Sequence, residues 1–108
     1  MAIPHAFPGV PVNLRPEDEA LTEVRTTALV KETNFEVIRL VIPKGKEIPN
    51  HKVDGPITVQ CLEGLVAFTT DGETRELRAG HWLYLRGGES HALAAHEDSL
   101  VLLTIMFA

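Results

Sequence analysis

Short β-rich runs separated by closely spaced turns are the feature that most limits what this chain can fold into. Gly45, Gly64, Gly80 and the Asp71-Gly72 pair divide the chain into such runs. Turn signals recur at the spacing of roughly 8–12 residues that is typical of β-sandwiches and β-barrels. No long segment has the hydrophobic period of roughly 3.6 residues that marks a helix. The sequence therefore predicts an all-β domain.

The strands predicted between these turns are 26–33, 34–42, 57–62, 65–70, 73–77, 81–86, 91–95 and 99–107. Two of them, 34–42 and 99–107, are apolar at both odd and even positions. A strand that is apolar on both faces is covered on both faces. One face can line the interior of a barrel, and a second copy of the chain is the simplest cover for the other. We therefore predict a homodimer.

Proline dominates the first part of the chain and predicts a separate N-terminal segment. Pro4, Pro8, Pro11 and Pro16 fix the backbone and remove amide donors, so residues 1–24 are expected to form an extended, proline-rich arm. Residues 25–108 are expected to form the barrel domain. Within the arm, 16–20 is predicted as one helical turn that begins at a proline.

Composition excludes several function classes. The ten basic residues, against fifteen acidic ones and a net charge of −5, are scattered, which argues against nucleic-acid binding. No apolar run approaches the roughly 18 residues that span a bilayer, so no membrane association is expected. The N-terminus lacks the basic and apolar regions of a secretory signal. Cys61 is the single cysteine, which fits a reducing compartment. We expect a cytoplasmic protein.

Two stretches carry a glycine, an apolar strand, a second glycine and a histidine in similar arrangements. The first contains Gly45, His51 and Gly64, with His51 interpreted as lying in a glycine-framed turn. The second contains Gly80, Gly88 and His91, with fifteen residues between Gly64 and Gly80. Their order and spacing resemble the two motifs of the cupin superfamily over residues 35–107. The resemblance implies a single RmlC-like jelly-roll, a double-stranded β-barrel.

The same motifs depart from the family at the positions that hold its metal. The second histidine of the first motif is replaced by Val53 and the glutamate by Ile57, so only His51 and His91 remain of the four ligands. The resemblance implies one divalent transition metal (Zn, Fe, Ni or Mn) at this pair, completed by Glu47, Cys61 or a bound molecule. Protein metal sites usually have three or four ligands. The alternative is two histidines that form hydrogen bonds in a pocket without a metal.

Strand alternation places the residues of the predicted pocket. Residues of equal parity share a face, so if His51 faces inward the apolar positions of strand 57–62 face inward with it. The predicted pocket residues are His51, Val53, Ile57, Val59, Cys61 and His91. Cys61 is interpreted as a small buried hydrophobic residue rather than a nucleophile. No residue is assigned a catalytic role.

Three functions fit these observations. The preferred one is a small single-domain cupin that binds a small molecule in an apolar barrel pocket, with His51 and His91 as its polar groups. The alternative is a metal-dependent cupin enzyme of the oxygenase or isomerase class. The third is a structural or regulatory dimer whose pocket is vestigial. A cupin fold supports many activities and does not choose among them.

Overall fold

The computed structural model describes residues 6–107, apart from the side chain of Thr22, and within that range the regular structure is almost entirely β. Predictions that fall on residues 1–5 and 108 lie outside the described part. No α-helix occurs in the described residues, and none of their helices is long and apolar enough to cross a membrane. The elements are a 3₁₀ turn at Leu21–Glu23, then β1 Thr27–Lys31, β2 Phe35–Ile42, β3 Glu47–His51, β4 Ile57–Glu63, β5 Leu65–Thr70, β6 Glu73–Arg78, β7 Trp82–Leu85, β8 His91–Ala95 and β9 Ser99–Met106.

The strands form two antiparallel sheets. One has five strands in the order β1-β2-β9-β4-β7, and the other has four in the order β3-β8-β5-β6. From β2 onward the chain passes to the other sheet at nearly every connection, as it does in a jelly-roll. The predicted all-β fold, a double-stranded β-barrel of the RmlC type, is confirmed.

The core lies between the inward faces of the two sheets. In β4 the alternate residues Ile57, Val59 and Cys61 are exposed by 2% or less, while the residues between them are half-buried. Phe68 of β5, also nearly fully buried, belongs to the same cluster. Strand alternation therefore predicted the inward face of β4 correctly.

Strand β3 was not predicted, because the sequence was interpreted as a turn around His51. Pro49 lies inside this strand, and proline has no amide hydrogen for a sheet ladder. Proline is tolerated on edge strands, and β3 is the edge of the four-stranded sheet. Its pairing with β8 shifts between Ile48 and His51. His51 is therefore held by a strand, and the turn interpretation was wrong.

The segment 16–20, predicted as one helical turn, contains a turn at Glu17 and Asp18 but no helix. The 3₁₀ turn begins later, at Leu21. The guanidinium of Arg15 donates hydrogen bonds to the carbonyl oxygens of Pro16 and Glu19. These carbonyls thus have a side-chain donor in place of the backbone amides that a helix would provide.

The arm is attached to the five-stranded sheet at two points. The amide of Ala6 donates to the carbonyl of Leu29 at 2.7 Å, and Arg15 forms an ion pair with Glu63 at 2.7 Å. Leu100 pairs in the sheet with both Val41 and Glu63 and is fully buried. The chain therefore covers this end of the sheet's outer face itself.

The rest of that outer face is apolar and open. Trp82 and Tyr84 lie on β7 with ring centroids 5.9 Å apart, and each is more than half exposed. The other exposed large apolar residues that the structure describes are Phe7, Val10 and Val12 of the arm and Met106 and Phe107 at the end of β9. On β2, β4 and β9 the outward residues next to them include two charged side chains, Arg39 and Glu63, and Glu63 is paired with Arg15 of the arm. The other outward residues are Phe35, Val37, Val41, Thr58, Gln60, Leu100, Leu102, Thr104 and Met106.

At Gly64 both the backbone conformation and the lack of free space exclude a side chain, and we therefore expect a substitution there to be destabilising. Gly64 has φ +94°, and a Cβ there would lie 2.4 Å from the carbonyl oxygen of Asp98 and from Oγ of Ser99. Gly80 has nearly the same φ, +93°, with open space around it. We expect Gly80→Ala to lower the free energy of unfolding by about 1–2 kcal/mol through left-handed strain alone. Gly64→Ala should cost about 1–3 kcal/mol more, because it also overpacks the site.

Urea unfolding of the two variants and the native chain, followed by far-UV circular dichroism, measures this difference. Equal losses in the two variants would show that the close approach of Asp98 and Ser99 relaxes without cost.

Candidate functional site

The site is built around two imidazoles that the β3–β8 pairing brings together. His51 ends β3, His91 begins β8, and the two residues are paired across the strands. Their ring centroids are 4.2 Å apart, with the planes tilted by 59°. Antiparallel pairing thus places next to each other two histidines that are far apart in the sequence.

The two rings differ in burial. His91 is 2% exposed, and its ring stacks on Phe68 with centroids 5.7 Å apart and planes within 8°. His51 is exposed. The pair therefore forms a gradient from the core to the surface, with His51 at the opening.

Hydrogen bonds from the ring to the backbone set the tautomer of each histidine. Nδ1 of His51 lies 3.0 Å from the carbonyl oxygen of Pro49, and Nδ1 of His91 lies 3.3 Å from that of Glu89. A carbonyl oxygen only accepts, so Nδ1 carries the hydrogen in each ring. In the neutral imidazole Nε2 is then an acceptor, and neither Nε2 has a partner among the described residues.

The protonation of His91 is perturbed by its surroundings. Burial lowers the pKa of His91, because the charged ring loses hydration. The hydrogen bond to the Glu89 carbonyl acts in the opposite direction, and the nearby His51 lowers the pKa further. The net direction is downward, so His91 is held neutral in the folded protein.

The imidazoles lie at one end of a cavity between the sheets. Its volume is about 220 Å³, and among the described residues that line it only the two histidines are polar. The others are aliphatic and come from five strands, namely Ile38, Leu40, Ile48, Val59, Leu93, Leu103 and Ile105. A cavity of this composition favours a mainly apolar occupant.

The structure brings together three of the six predicted pocket residues, His51, Val59 and His91, which all line the cavity. It places Ile57 and Cys61 in the packed core, and Val53 half-buried against that core. Ile57 and Cys61 face the same way as Val59, but each lies two residues along β4, roughly 6.6 Å away. Both side chains are packed in the core cluster and do not line the cavity.

Sequence analysis missed the lining residues from β2 and β9. Ile38 and Val59 both pair with Leu103, so these three side chains form one row across the five-stranded sheet. The pattern that could have found them was present, because β2 and β9 were recognised as apolar on both faces. The inward parity had not been assigned for either strand.

The two residues considered as additional metal ligands lie elsewhere. The Cys61 thiol is fully buried and lies 3.5 Å from the carbonyl oxygen of Glu63. Burial raises the pKa of Cys61, with a smaller opposing effect from that hydrogen bond, so the thiol stays protonated. Glu47 is exposed and borders a separate shallow groove with Pro49 and Thr69. Neither completes a coordination sphere at the two imidazoles.

The donor set therefore does not fit a resident metal ion. Among residues 6–107 no group of three or more His, Cys, Asp or Glu side chains could hold a metal. At the positions where the motif would supply two more ligands, Val53 and Ile57 have no coordinating atom. Two nitrogens fall short of the three or four protein ligands of usual sites.

The segments beside the two histidines are joined through their backbones. The amide of Gly88 donates to the carbonyl of Val53 at 2.8 Å. A Cβ on Gly87 would lie 2.0 Å from the carbonyl oxygen of Asp54, so only glycine allows this approach. The loop after His51 and the loop before His91 are thus held against each other.

Comparison with known families agrees with this architecture. The family model described as the cupin domain matches residues 38–107. The chain belongs to the cupin family. No functionally curated protein matches this cupin in sequence.

Solved structures share the fold across many organisms. A conserved protein of unknown function from Streptococcus pyogenes is 25% identical, with a TM-score of 0.73 over 94% of this chain and 98% of the other. An RmlC-like cupin from Methanocaldococcus jannaschii with a double-stranded β-helix fold is 18% identical, with a TM-score of 0.71 over 85% and 86%. The salicylate 1,2-dioxygenase of Pseudoaminobacter salicylatoxidans is 20% identical, with a TM-score of 0.62 over 67% of this chain and 20% of the enzyme. At this identity the dioxygenase shares the fold alone.

The lowered pKa of His91 predicts how stability depends on pH. Unfolded histidine titrates near pH 6.5, and the folded pKa lies below that value. Between the two values the unfolded chain binds more protons, so stability falls as the pH drops from above about 6.5 toward the folded pKa. His91→Gln removes the group and should flatten this part of the profile.

Urea unfolding at several pH values between 8 and 5 tests the expectation. His96→Gln is the matched control, because His96 is exposed in a loop. An unchanged pH dependence in His91→Gln would contradict the assignment.

Proposed function

We propose that this cupin binds a small, mainly apolar molecule inside its barrel, with His51 and His91 as the polar end of the site. The observation that supports the proposal is a cavity of about 220 Å³ lined by aliphatic side chains and two imidazoles. Apolar cavities of about 150 Å³ stay dry and hold benzene. This cavity is larger, so it has room for a ring of that size with a short substituent.

The expected driving force is the removal of apolar surface from water. Each buried methylene contributes about 0.8 kcal/mol, and the described residues that line the cavity include no charged group that would oppose an apolar ligand. The imidazoles give the ligand an orientation, because they are the polar groups at one end. The proposal concerns binding of the ligand and assigns no reaction to the site.

A metal-dependent enzyme of the oxygenase or isomerase class is the second candidate. Its support is that each Nδ1 is engaged by a carbonyl and each Nε2 is free, which is the arrangement of metal-ligating histidines. A metal held by this pair would need further donors from a bound molecule. Because residues 6–107 supply only two donors at this pair, we favour metal-free binding.

A thermal-shift and NMR titration with ethylbenzene tests the binding proposal. Protein purified without a histidine tag should be stabilised, by about 2.7 kcal/mol at a ligand concentration of one hundred times Kd. Ile48→Phe adds a ring on the cavity side of β3 and should abolish the shift. Glu47→Phe adds the same ring at the neighbouring exposed position and should keep it.

The other outcomes identify the competing functions. A stoichiometric transition metal in native protein that is lost in His51→Ala would favour the second candidate over ours. Absence of both metal and binding would indicate a structural or regulatory protein with a vestigial pocket.

We also propose that two copies of this cupin associate through the outer face of the five-stranded sheet. The five strands have 5, 8, 8, 7 and 4 residues, which at about 3.3 Å per residue and about 4.8 Å between strands give a face of roughly 500 Å². Stable interfaces bury roughly 800 Å² per partner, so this face supplies more than half of the area that a dimer needs. The outward charges on β2, β4 and β9 are Arg39 and Glu63, and Glu63 is paired with Arg15, so the face opposes association weakly.

Light scattering coupled to size-exclusion chromatography measures the association. The native protein should have twice the chain mass of 11.9 kDa, and the double variant Trp82→Lys, Tyr84→Lys should have the mass of one chain. Thr74→Lys, on an exposed position of the four-stranded sheet, is the control and should stay dimeric. A native monomer at high concentration would contradict the proposal.

A further inference from the structure

We propose that the ligand of this cavity is a neutral hydroxyl compound with an apolar body, bound through hydrogen bonds that its hydroxyl groups donate to His51 and His91. The inference rests on the proposed binding function and deepens it by naming the class of ligand. It excludes carboxylates, phosphates and ammonium compounds at neutral pH.

The first step is the direction of the hydrogen bonds. The carbonyls of Pro49 and Glu89 fix the hydrogen of each ring on Nδ1. The nitrogen left for a ligand is therefore Nε2, which in the neutral ring has a lone pair and no hydrogen. The polar end of the cavity is thus composed of two acceptors, and its natural partner is a donor.

The second step is charge. The described residues that line the cavity include no Asp, Glu, Lys or Arg. A carboxylate or phosphate would find no donor or cation, and an ammonium group would find no anion. Burying an unpaired charge costs far more than burying a hydrogen-bonded neutral group. Only a ligand whose polar group is neutral avoids this penalty.

The third step is the number and spacing of the acceptors. The ring centroids are 4.2 Å apart, close enough for both rings to face one small head group. A single hydroxyl has one hydrogen to donate, so it satisfies one ring and leaves the other for a second hydroxyl or a water. A ligand with two neighbouring hydroxyls matches the pair best.

The fourth step is size. The cavity of about 220 Å³ exceeds the roughly 150 Å³ that accommodates benzene. The difference is about two waters at about 30 Å³ each, which is the room needed for a short chain that ends in a hydroxyl. A phenylethyl skeleton therefore suits the cavity and allows the head group to be varied alone.

The experiment compares four compounds with that skeleton at pH 8: ethylbenzene, 2-phenylethanol, phenylacetate and 2-phenylethylammonium. Affinities are measured by protein-detected NMR titration. We expect 2-phenylethanol to bind about three- to tenfold more tightly than ethylbenzene, the net effect of one hydrogen bond. The two charged compounds should bind more weakly than ethylbenzene.

Two variants assign the preference to the imidazoles. His51 is exposed, so His51→Leu should fold normally, and it should reduce the advantage of 2-phenylethanol over ethylbenzene. His51→Lys places a donor and a cation at the same position and should raise the affinity for phenylacetate. His96→Leu and His96→Lys, in the exposed loop after β8, are the matched controls and should change neither preference.

The outcomes separate this inference from the function on which it rests. If ethylbenzene and 2-phenylethanol bind equally, or if phenylacetate binds best to the native protein, the hydroxyl class is overturned while cavity binding stands. If none of the four compounds binds, the proposed binding function fails, and the inference fails with it.

Discussion

The register of β3 against β8 is the constraint on which the site depends. Side chains alternate across a strand, so a slip of one residue would turn His51 to the opposite face of the sheet. The irregular pairing between Ile48 and His51 determines which side chains of β3 reach the cavity. The same pairing sets the 4.2 Å separation of the imidazoles. An edge strand interrupted by proline thus carries the most specific geometry of the molecule.

The sequence predicted the barrel well because its turns are encoded locally. Asp71-Gly72 forms the expected tight hairpin between β5 and β6, with positive φ at both residues. Strand β3 was not predicted because a proline such as Pro49 is a local signal against a β-strand. The strand accommodates Pro49 only because β3 lies at the edge of its sheet. Edge position is a property of the assembled fold and cannot be obtained from a window of neighbouring residues.

The candidate site was predicted less completely, for a similar reason. The histidines were recognised from their spacing, and Val59 from strand alternation. The lining from Ile38, Leu40, Leu103 and Ile105 requires knowledge of how β2, β9 and β4 align, which is a long-range property. The sequence alone revealed that Val53 and Ile57 replace two of the metal ligands of the cupin motif. Its structural result is that Ile57 became part of the core.

The contact between Gly87 and Asp54, with the hydrogen bond from Gly88 to Val53, has a kinetic consequence. The loop after His51 and the loop before His91 are linked by this hydrogen bond, so neither loop can move away from the other without breaking it. If the proposed ligand enters the cavity between these two loops, its rates of entry and departure are limited by how often this hydrogen bond opens. Such a barrel would exchange its ligand slowly and retain it on dilution.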